Sequence, residues 1–206
     1  MIAIVDYGVG NLRSVQKALE LVGAQAVVTS DAAQLDVARG IVLPGVGAFG
    51  DGMDNLRARD LVQPLLDQVA QDKPFLGICL GMQLLFDESE EMGLHQGLGL
   101  LPGRVVRFPE SELKVPHIGW NQLMGCGTGV LSGIVDGEYA YFVHSYYVAP
   151  SDPSDVLATT EYGVEFASVV SRNKVFGAQF HPEKSQDVGL RLLQNFASFV
   201  QREGAR

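Results

Sequence analysis

The sequence is poor in cysteine, in clustered basic residues and in long apolar runs. Its two cysteines, Cys79 and Cys126, stand in different local contexts and offer no disulfide framework. No stretch reaches the roughly 20 apolar residues that a membrane-spanning helix needs. The first apolar run, Ile2 to Val5, has no basic start and is too short for a secretory signal. These absences predict a cytoplasmic protein that has no membrane partner.

Acidic residues outnumber basic ones. The chain holds 15 Lys and Arg against 24 Asp and Glu, which gives a formal net charge of -9 at pH 7. Because no cluster of Lys or Arg could neutralise phosphates, we expect no nucleic-acid partner. The 206 residues are enough for one substantial core, and we expect a single domain over residues 1–206.

Apolar periodicity in the first half alternates between short strands and helices. Strands are predicted at 1–5, 26–29 and 40–43, with helices over 12–22 and 31–38 between them. This order predicts an α/β fold with a mostly parallel central sheet and helices on both faces. The second half is predicted to add antiparallel strands, after a loop over 88–103. These strands are expected at 104–108, 139–143, 156–160, 166–170 and 174–180.

The pattern changes sharply at Cys79. Residues 75–78 read as a buried strand, and apolar residues recur at helical spacing after them. Gly77 and Gly81 flank the cysteine in a G-x-C-x-G nucleophile elbow, where small residues let the backbone turn tightly. The positive end of the following helix would favour the thiolate. Cys79 is therefore a candidate nucleophile, the alternative being a buried core cysteine.

A second motif, His181-Pro182-Glu183, follows the last predicted strand. Pro182 biases His181 towards an extended conformation, and residues two apart in an extended chain point to the same side. Glu183 could then hold one ring nitrogen while the other faces the thiol, which is the logic of a catalytic triad. The motif by itself is common in turns. Together with the elbow it predicts catalysis by Cys79, His181 and Glu183.

Two glycine-rich segments follow other predicted strands. Gly8 and Gly10 give only G-x-G, and Arg13 stands where a dinucleotide fingerprint has its third glycine, so that signal is weak. The segment 44–47, Pro-Gly-Val-Gly, leaves the third strand. In a doubly wound sheet such a loop shares the active crevice with Cys79. We predict no cofactor and no metal site.

These motifs together resemble the class I, triad-type glutamine amidotransferases. The resemblance rests on Gly77–Gln83 and the late His-Pro-Glu, and it extends over nearly the whole chain. Segments 6–12 and 44–47 are similar to the branch of that family that serves histidine biosynthesis. The resemblance implies that Cys79 attacks the side-chain amide of glutamine and that the thioester is hydrolysed to glutamate. Further similar segments are 117–121, 144–146 and 181–185.

The resemblance also implies the surroundings of the reaction. Both steps pass through an oxyanion, for which the backbone N–H groups of Leu80 and of Val46 or Gly47 are the expected donors. Instead of contacting the substrate, Glu91 could be a solvated carboxylate in an acidic loop, and His144 could simply pack beside its neighbouring tyrosines. The residues expected around glutamine are Gly45, Gln83, Glu91, Ser145 and Tyr146.

A partner protein is implied as well. Ammonia released into water is mostly protonated, so a second chain is expected to cover the crevice and receive it. In the family branch this is a (β/α)8-barrel cyclase acting on a phosphoribulosyl aminoimidazole carboxamide nucleotide, in a heterodimer. Trp120, Asn121 and Lys184 are candidates for the contact face, although a core position for Trp120 is an alternative.

Other functions stay open at this point. The chain could be the glutaminase of another class I amidotransferase, a thiol hydrolase or peptidase on a related sheet, or a regulatory module without catalysis. An intact set of Cys79, His181 and Glu183 argues against the last. A peptidase would need neither Gln83 nor a partner.

Overall fold

The computed structural model describes residues 1–110 and 112–204. The first half of the chain forms β1 (Ile2–Val5), α1 (Leu12–Leu21), β2 (Ala26–Thr29), α2 (Ala32–Val37), β3 (Gly40–Gly45), α3 (Phe49–Ala58), α4 (Val62–Ala70), β4 (Phe75–Cys79) and α5 (Leu80–Gln83). The second half forms β5 (Phe86–Ser89), β6 (His95–Gln96), β7 (Leu101–Arg107), β8 (His117–Gln122), β9 (Tyr139–His144), β10 (Tyr146–Pro150), β11 (Val156–Glu161), β12 (Glu165–Arg172), β13 (Val175–Ala178) and α6 (Gln186–Glu203). Short 3-10 helices lie at Gly129–Leu131, Pro153–Asp155 and Pro182–Lys184.

The central sheet has seven strands in the order β11-β12-β13-β4-β3-β1-β2. The strands from β13 to β2 pair in parallel, and β11 and β12 extend the sheet in antiparallel fashion. Strands β10-β7-β5-β6 form a separate four-stranded sheet, and strands β8-β9 form a two-stranded one. The predicted α/β fold, with a mostly parallel central sheet and added antiparallel strands, is confirmed.

The alternation of side chains along the strands divides the core between the two faces of the central sheet. The even-numbered residues of β1 pack in a cluster with Leu19 of α1 and Phe196 of α6. Its odd-numbered residues pack in a second cluster with Leu35 of α2 and Leu56 of α3. Full burial of each large apolar side chain contributes about 1.5–3 kcal/mol. Helices therefore cover both faces, as predicted. None of the described helices is long and apolar enough to cross a membrane.

Residues 88–103 were expected to form a loop, and this expectation was wrong. They include the end of β5, all of β6 and the start of β7. The acidic residues Asp87 and Glu88 occupy the more exposed positions of β5, while Phe86 and Ser89 are buried, so the acidic composition conceals the strand. Strands β8 and β10 were not predicted either.

The helix after Cys79 is also shorter than its apolar spacing predicts. It ends at Gln83 after a single turn. The next carbonyls are taken by a later segment, because Leu98 N donates to Leu84 O at 2.9 Å and Leu100 N donates to Leu85 O at 2.8 Å. Tertiary hydrogen bonds thus replace the continuing helix. A helix of a single turn has only a small macrodipole at its N-terminus.

Candidate active site

Three segments of the candidate site leave neighbouring parallel strands at the same edge of the sheet. Strand β4 pairs with β3 on one side, where Cys79 is opposite Gly45, and with β13 on the other, where Ile78 is opposite Ala178. The glycine loop after β3 and the segment after β13 therefore emerge on either side of Cys79. This is the crevice that the topology of a doubly wound sheet provides.

The backbone at Cys79 turns through a conformation that few side chains adopt. Its φ is 53° and its ψ is -112°, a strained combination for a residue that has a Cβ. The flanking glycines are sterically required. A Cβ on Gly81 would lie 1.7 Å from Leu43 O, and a Cβ on Gly77 would lie 2.5 Å from Gly81 O. The close approach of strand and helix excludes any side chain at these two positions.

His181 and Glu183 meet beside this turn. His181 Nδ1 lies 2.9 Å from Glu183 Oε1, and the side chains are only 3% and 1% exposed. The prediction that residues 181–183 form an extended tripeptide was wrong. His181 itself is extended, with φ -97° and ψ 98°, but Pro182–Lys184 form a turn of 3-10 helix. That turn brings Glu183 back under the imidazole.

The backbone of His181 is fixed by β9 and by Ser185. His181 N donates to Tyr141 O at 3.0 Å. Ser185 Oγ donates to His181 O at 2.7 Å and accepts from Tyr141 N at 2.9 Å. With both backbone groups held, the ring cannot drift away from Cys79. Ser185 was not singled out in the sequence, because its role depends on the proximity of β9.

The surroundings of His181 favour its charged form. Burial lowers the pKa of the imidazole, but interactions with the Cys79 sulfur and the Glu183 carboxylate outweigh burial and raise this pKa to about 10. Nε2 is buried and has no hydrogen-bond partner among the described residues. A proton on Nε2 is therefore available for transfer within the site.

A cavity of about 320 Å³ opens over Cys79. Gly45 does not line it: this residue lies behind the loop, where a Cβ would be 2.3 Å from the Tyr7 hydroxyl oxygen. Glu183 is likewise behind His181. The cavity is lined by most of the residues predicted for the site, namely Val46, Gly47, Cys79, Leu80, Gln83, Glu91, Ser145, Tyr146 and His181. Three further residues, Pro116, Val143 and His144, line it as well.

The backbone around the cavity offers N–H donors. Leu80 is the first residue of α5, so its N–H has no acceptor within the helix. Gly47 has φ +100°, and no atom lies within 4 Å of the position where a Cβ would be. Val46, just before it, is exposed. The loop therefore has room to present either N–H to the cavity.

Glu91 and Gln83 reach the cavity from different elements. Glu91 Oε2 accepts from Phe49 N at 2.7 Å and so caps α3, which leaves Oε1 for other partners. Gln83 Nε2 donates to Tyr146 O at 2.9 Å and to Gln179 Oε1 at 3.1 Å. Both amide protons of Gln83 are thereby used.

Gln179 was missed in the sequence. It is fully buried, and its Nε2 lies 3.9 Å from Cys79 Sγ, within hydrogen-bonding range for sulfur. Its Oε1 accepts from Gln83, so the residue connects the nucleophile to the cavity wall. One signal could have found it: Gln179 stands two residues before His181, and alternation places both on one side of an extended chain.

Residues 3–198 match the family model described as "Glutamine amidotransferase class-I". The chain belongs to the class I glutamine amidotransferases. It is 58% identical over 203 residues to "Imidazole glycerol phosphate synthase subunit HisH" of Syntrophotalea carbinolica, covering 95% of this chain and 98% of that protein. A protein of the same name from Geobacillus sp. (strain WCH70) is 50% identical over the full length of both chains.

Solved structures show the same fold at lower identity. A "Crystal structure of glutamine amidotransferase" has a TM-score of 0.75 and 20% identity, and it covers 96% of this chain and 100% of its own. A "Structure of PurLQS from Thermotoga maritima" has a TM-score of 0.74 and 22% identity, with 96% of this chain and 97% of its own covered. The amidotransferase fold is therefore retained in structures whose sequences have diverged widely from this one.

Two of the three residues predicted to contact a partner protein, Trp120 and Lys184, lie on one outer surface. Trp120 is 46% exposed, which excludes the core position, and it packs edge-on against Tyr141 with ring centroids 5.9 Å apart. Lys184 Nζ lies 5.7 Å from the centroid of the same Tyr141 ring. Asn121 does not share this surface. Its amide points to the other side of β8, towards His117 and Glu161 O.

The second cysteine lies outside the candidate active site. Cys126 does not line the cavity, and its N donates to Asp136 Oδ1 at 2.8 Å. Burial, Asp136 and Glu138 together raise the pKa of the Cys126 thiol to about 11. Within residues 1–110 and 112–204, no group of three or more His, Cys, Asp or Glu side chains could hold a metal ion.

Proposed function

We propose that this chain is the glutaminase subunit of imidazole glycerol phosphate synthase and hydrolyses L-glutamine to glutamate and ammonia. The observation that carries the proposal is the buried His181–Glu183 pair beside the strained Cys79, open to a cavity large enough for an amino acid. The name of the relatives at 50–58% identity supports the same function. The comparisons give no support to a peptidase, and we take residues 1–206 as one glutaminase domain.

In the first step, the Cys79 thiolate attacks the amide carbon of glutamine. A bond forms between Sγ and that carbon, and the resulting oxyanion is held by the N–H of Leu80 and by that of Val46 or Gly47. The C–N bond then breaks, and His181 Nε2 gives its proton to the departing nitrogen. Ammonia leaves and a thioester remains on Cys79.

In the second step, water hydrolyses the thioester. His181 Nε2 takes a proton from the water, and hydroxide adds to the carbonyl carbon through a second oxyanion. Glu183 accepts from Nδ1, so it holds the ring in one orientation and stabilises the imidazolium that forms. Collapse of the intermediate releases glutamate and restores the Cys79 thiolate.

Glutamine is held between the two walls of the cavity. Glu91 offers a carboxylate oxygen to the α-ammonium group, and Gln83 can offer only Oε1 because both its N–H groups are used. Ser145 and Tyr146 complete the opposite wall. Gly45 contributes by leaving space, since a side chain there would collide with Tyr7.

The ammonia passes to a partner subunit, a (β/α)8-barrel cyclase that makes imidazole glycerol phosphate and an aminoimidazole carboxamide ribonucleotide. We place the partner on the surface formed by Trp120, Tyr141 and Lys184. Val143 has its side chain on the same face of β9 as Tyr141 and lines the cavity, so a chain bound there would lie at the cavity mouth. Free thiols at both cysteines suit the reducing cytoplasm.

A reconstitution with the cyclase and its nucleotide substrate tests the proposal. We expect wild type to release glutamate and support product formation from glutamine, and Cys79→Ala to lose both. The same variant should still support product formation from added ammonium salt, because the partner is intact. Cys126→Ala is the matched control and should behave like wild type.

Three results would overturn the proposal. Glutamate release by Cys79→Ala would exclude Cys79 as the nucleophile. An unchanged glutaminase rate on mixing would contradict coupling to the cyclase. Turnover of peptide substrates in preference to glutamine would assign the site to a thiol peptidase.

A further inference from the structure

Two buried histidines that the proposed mechanism does not use stand at one wall of the cavity, which His144 lines and His117 does not. His117 begins β8, His144 ends β9, and the two are opposite each other in register. They are 2% and 6% exposed. His117 Nδ1 lies 3.1 Å from His144 Nε2, and the aromatic rings of Phe108 and Phe142 enclose both. A hydrogen bond between two imidazoles requires one ring to donate and the other to accept.

The inner end of this pair fixes the position of one proton. His144 Nδ1 lies 2.8 Å from Tyr146 O. A carbonyl oxygen can only accept, so the proton of His144 is on Nδ1 and its Nε2 carries the lone pair. Nε2 must then accept from His117, which places the proton of His117 on Nδ1 as well.

At the outer end of the histidine pair, the hydrogen bonds of Asn121 independently require the same direction of donation. Asn121 Nδ2 donates to Glu161 O at 2.8 Å, and Asn121 Oδ1 accepts from Gln122 N at 2.8 Å. The amide orientation is therefore set on both sides. The remaining proton on Nδ2 points to His117 Nε2, 3.3 Å away, which has to accept it.

The direction of donation is thus consistent from Asn121 through His117 and His144 to Tyr146 O. A second proton on either ring would set two N–H groups against each other. The environment agrees: burial lowers the pKa of His117 to about 4 and that of His144 to about 3, where the nearby His117 also lowers it. Both histidines are neutral at neutral pH, each with its proton on Nδ1.

This series of hydrogen bonds from Asn121 to Tyr146 O, here called the relay, ends at residues of the proposed glutamine site. Tyr146 O accepts from Gln83 Nε2 at 2.9 Å as well as from His144. Gln83 gives its other proton to Gln179 Oε1, and Gln179 Nε2 approaches Cys79 Sγ. The Tyr146 carbonyl therefore decides which way the Gln83 amide is oriented, and the relay holds that carbonyl in place.

We propose that His117 and His144 are positioning residues of the glutamine site, which hold the Tyr146 carbonyl so that Gln83 presents an acceptor to the N–H groups of glutamine. The inference rests on the proposed function for the identity of the ligand. The relay itself is a property of the folded chain and can be tested without any turnover.

The first test is nuclear magnetic resonance of the ¹⁵N-labelled histidine rings in the wild-type chain at pH 7. We expect His117 and His144 to be neutral with the proton on Nδ1, with signals assigned through the single variants His117→Asn and His144→Asn. A charged ring, or a proton on Nε2 of either residue, would overturn the relay. This result does not depend on the proposed function.

The second test compares His144→Phe with His144→Asn in the reconstituted enzyme. Phenylalanine keeps an aromatic ring but loses the donor to Tyr146 O. We expect KM for glutamine to rise about 10-fold while kcat changes less than about threefold, as for one lost buried hydrogen bond in the binding site. Asparagine places an N–H near the former Nδ1, so it should restore most of the lost affinity.

Tyr162→Phe is the matched control. Its ring stacks on His117 with centroids 4.0 Å apart, and its hydroxyl donates to Lys114 O. It should retain the wild-type KM. An unchanged KM in folded His144→Phe, or equal defects in His144→Phe and His144→Asn, would overturn the positioning role. If the wild type did not turn over glutamine, the proposed function would be overturned, but the NMR signals of the histidine rings would still test the relay.

Discussion

His181 Nδ1 lies 2.9 Å from Glu183 Oε1 across a single turn of 3-10 helix. The other carboxylate oxygen, Glu183 Oε2, is buried and has no hydrogen-bond partner among the described residues. The negative charge of this carboxylate is therefore directed almost wholly at the imidazole. A buried charge with one partner has a large effect on that partner.

Glu183→Gln should lower the rate of glutamate release about 10- to 10³-fold, because the amide keeps the shape but removes the charge that stabilises the imidazolium. Affinity for glutamine should stay near that of wild type. Adding the change to Cys79→Ala should cost little more than Cys79→Ala alone, since residues that act as one unit are not additive. Full turnover by Glu183→Gln would reduce the triad to Cys79 and His181.

The same substitution should change how stability depends on pH. Contacts with Cys79 and Glu183 raise the folded-state pKa of His181 from the ordinary 6.5 to about 10. The stabilisation is therefore complete below pH 6.5 and is lost as pH rises through about 10. The stability difference between wild type and Glu183→Gln should shrink over that window in urea titrations. Glu165→Gln, which removes an exposed carboxylate, is the matched control and should show no such shrinkage over the same window.

Gly81→Ala should be among the most destabilising changes in the chain. A Cβ there would lie 1.7 Å from Leu43 O, in backbone that cannot move without separating β3 from β4. We expect a loss of more than about 3 kcal/mol in the free energy of unfolding. Gly23→Ala is the control: its φ is +83° but nothing lies within 4 Å, so the loss should be about 1–2 kcal/mol. Equal losses would show that the elbow can relax.

Alkylation by a glutamine-like electrophile should separate the two cysteines. At pH 7.5 we expect stoichiometric labelling of Cys79, which lines the cavity, while Cys126 stays mostly unlabelled because its pKa is about 11. The rate at Cys126 should rise about tenfold per pH unit as its thiolate population grows. Mass spectrometry of digested protein measures both. Comparable rates at pH 7.5 would contradict the assignment of Cys79.

Much of the fold could be predicted because its first half follows simple periodicity. The strands at 1–5 and 26–29 were placed to within one residue of β1 and β2. Strand β6 escaped prediction because it has only two residues, too few to show a period. Strand β8 was missed because Gly119 interrupts its pattern and its outer face carries exposed apolar side chains.

The sequence by itself determined the local chemistry of the elbow and of His181-Pro182-Glu183. A change of period at Cys79, two glycines that leave room for a turn, and a carboxylate two residues from a histidine are short-range features that need no knowledge of the partners in space. The tertiary structure decided which distant side chains meet. Gln179 approaches Cys79, 100 residues away in the chain, only because β13 and β4 are neighbours. The inward direction of Asn121 and the pairing of His117 with His144 likewise depend on the register of β8 and β9. Sequence patterns do not fix this register, because β8 carries apolar side chains on its exposed face and β9 is apolar on both faces.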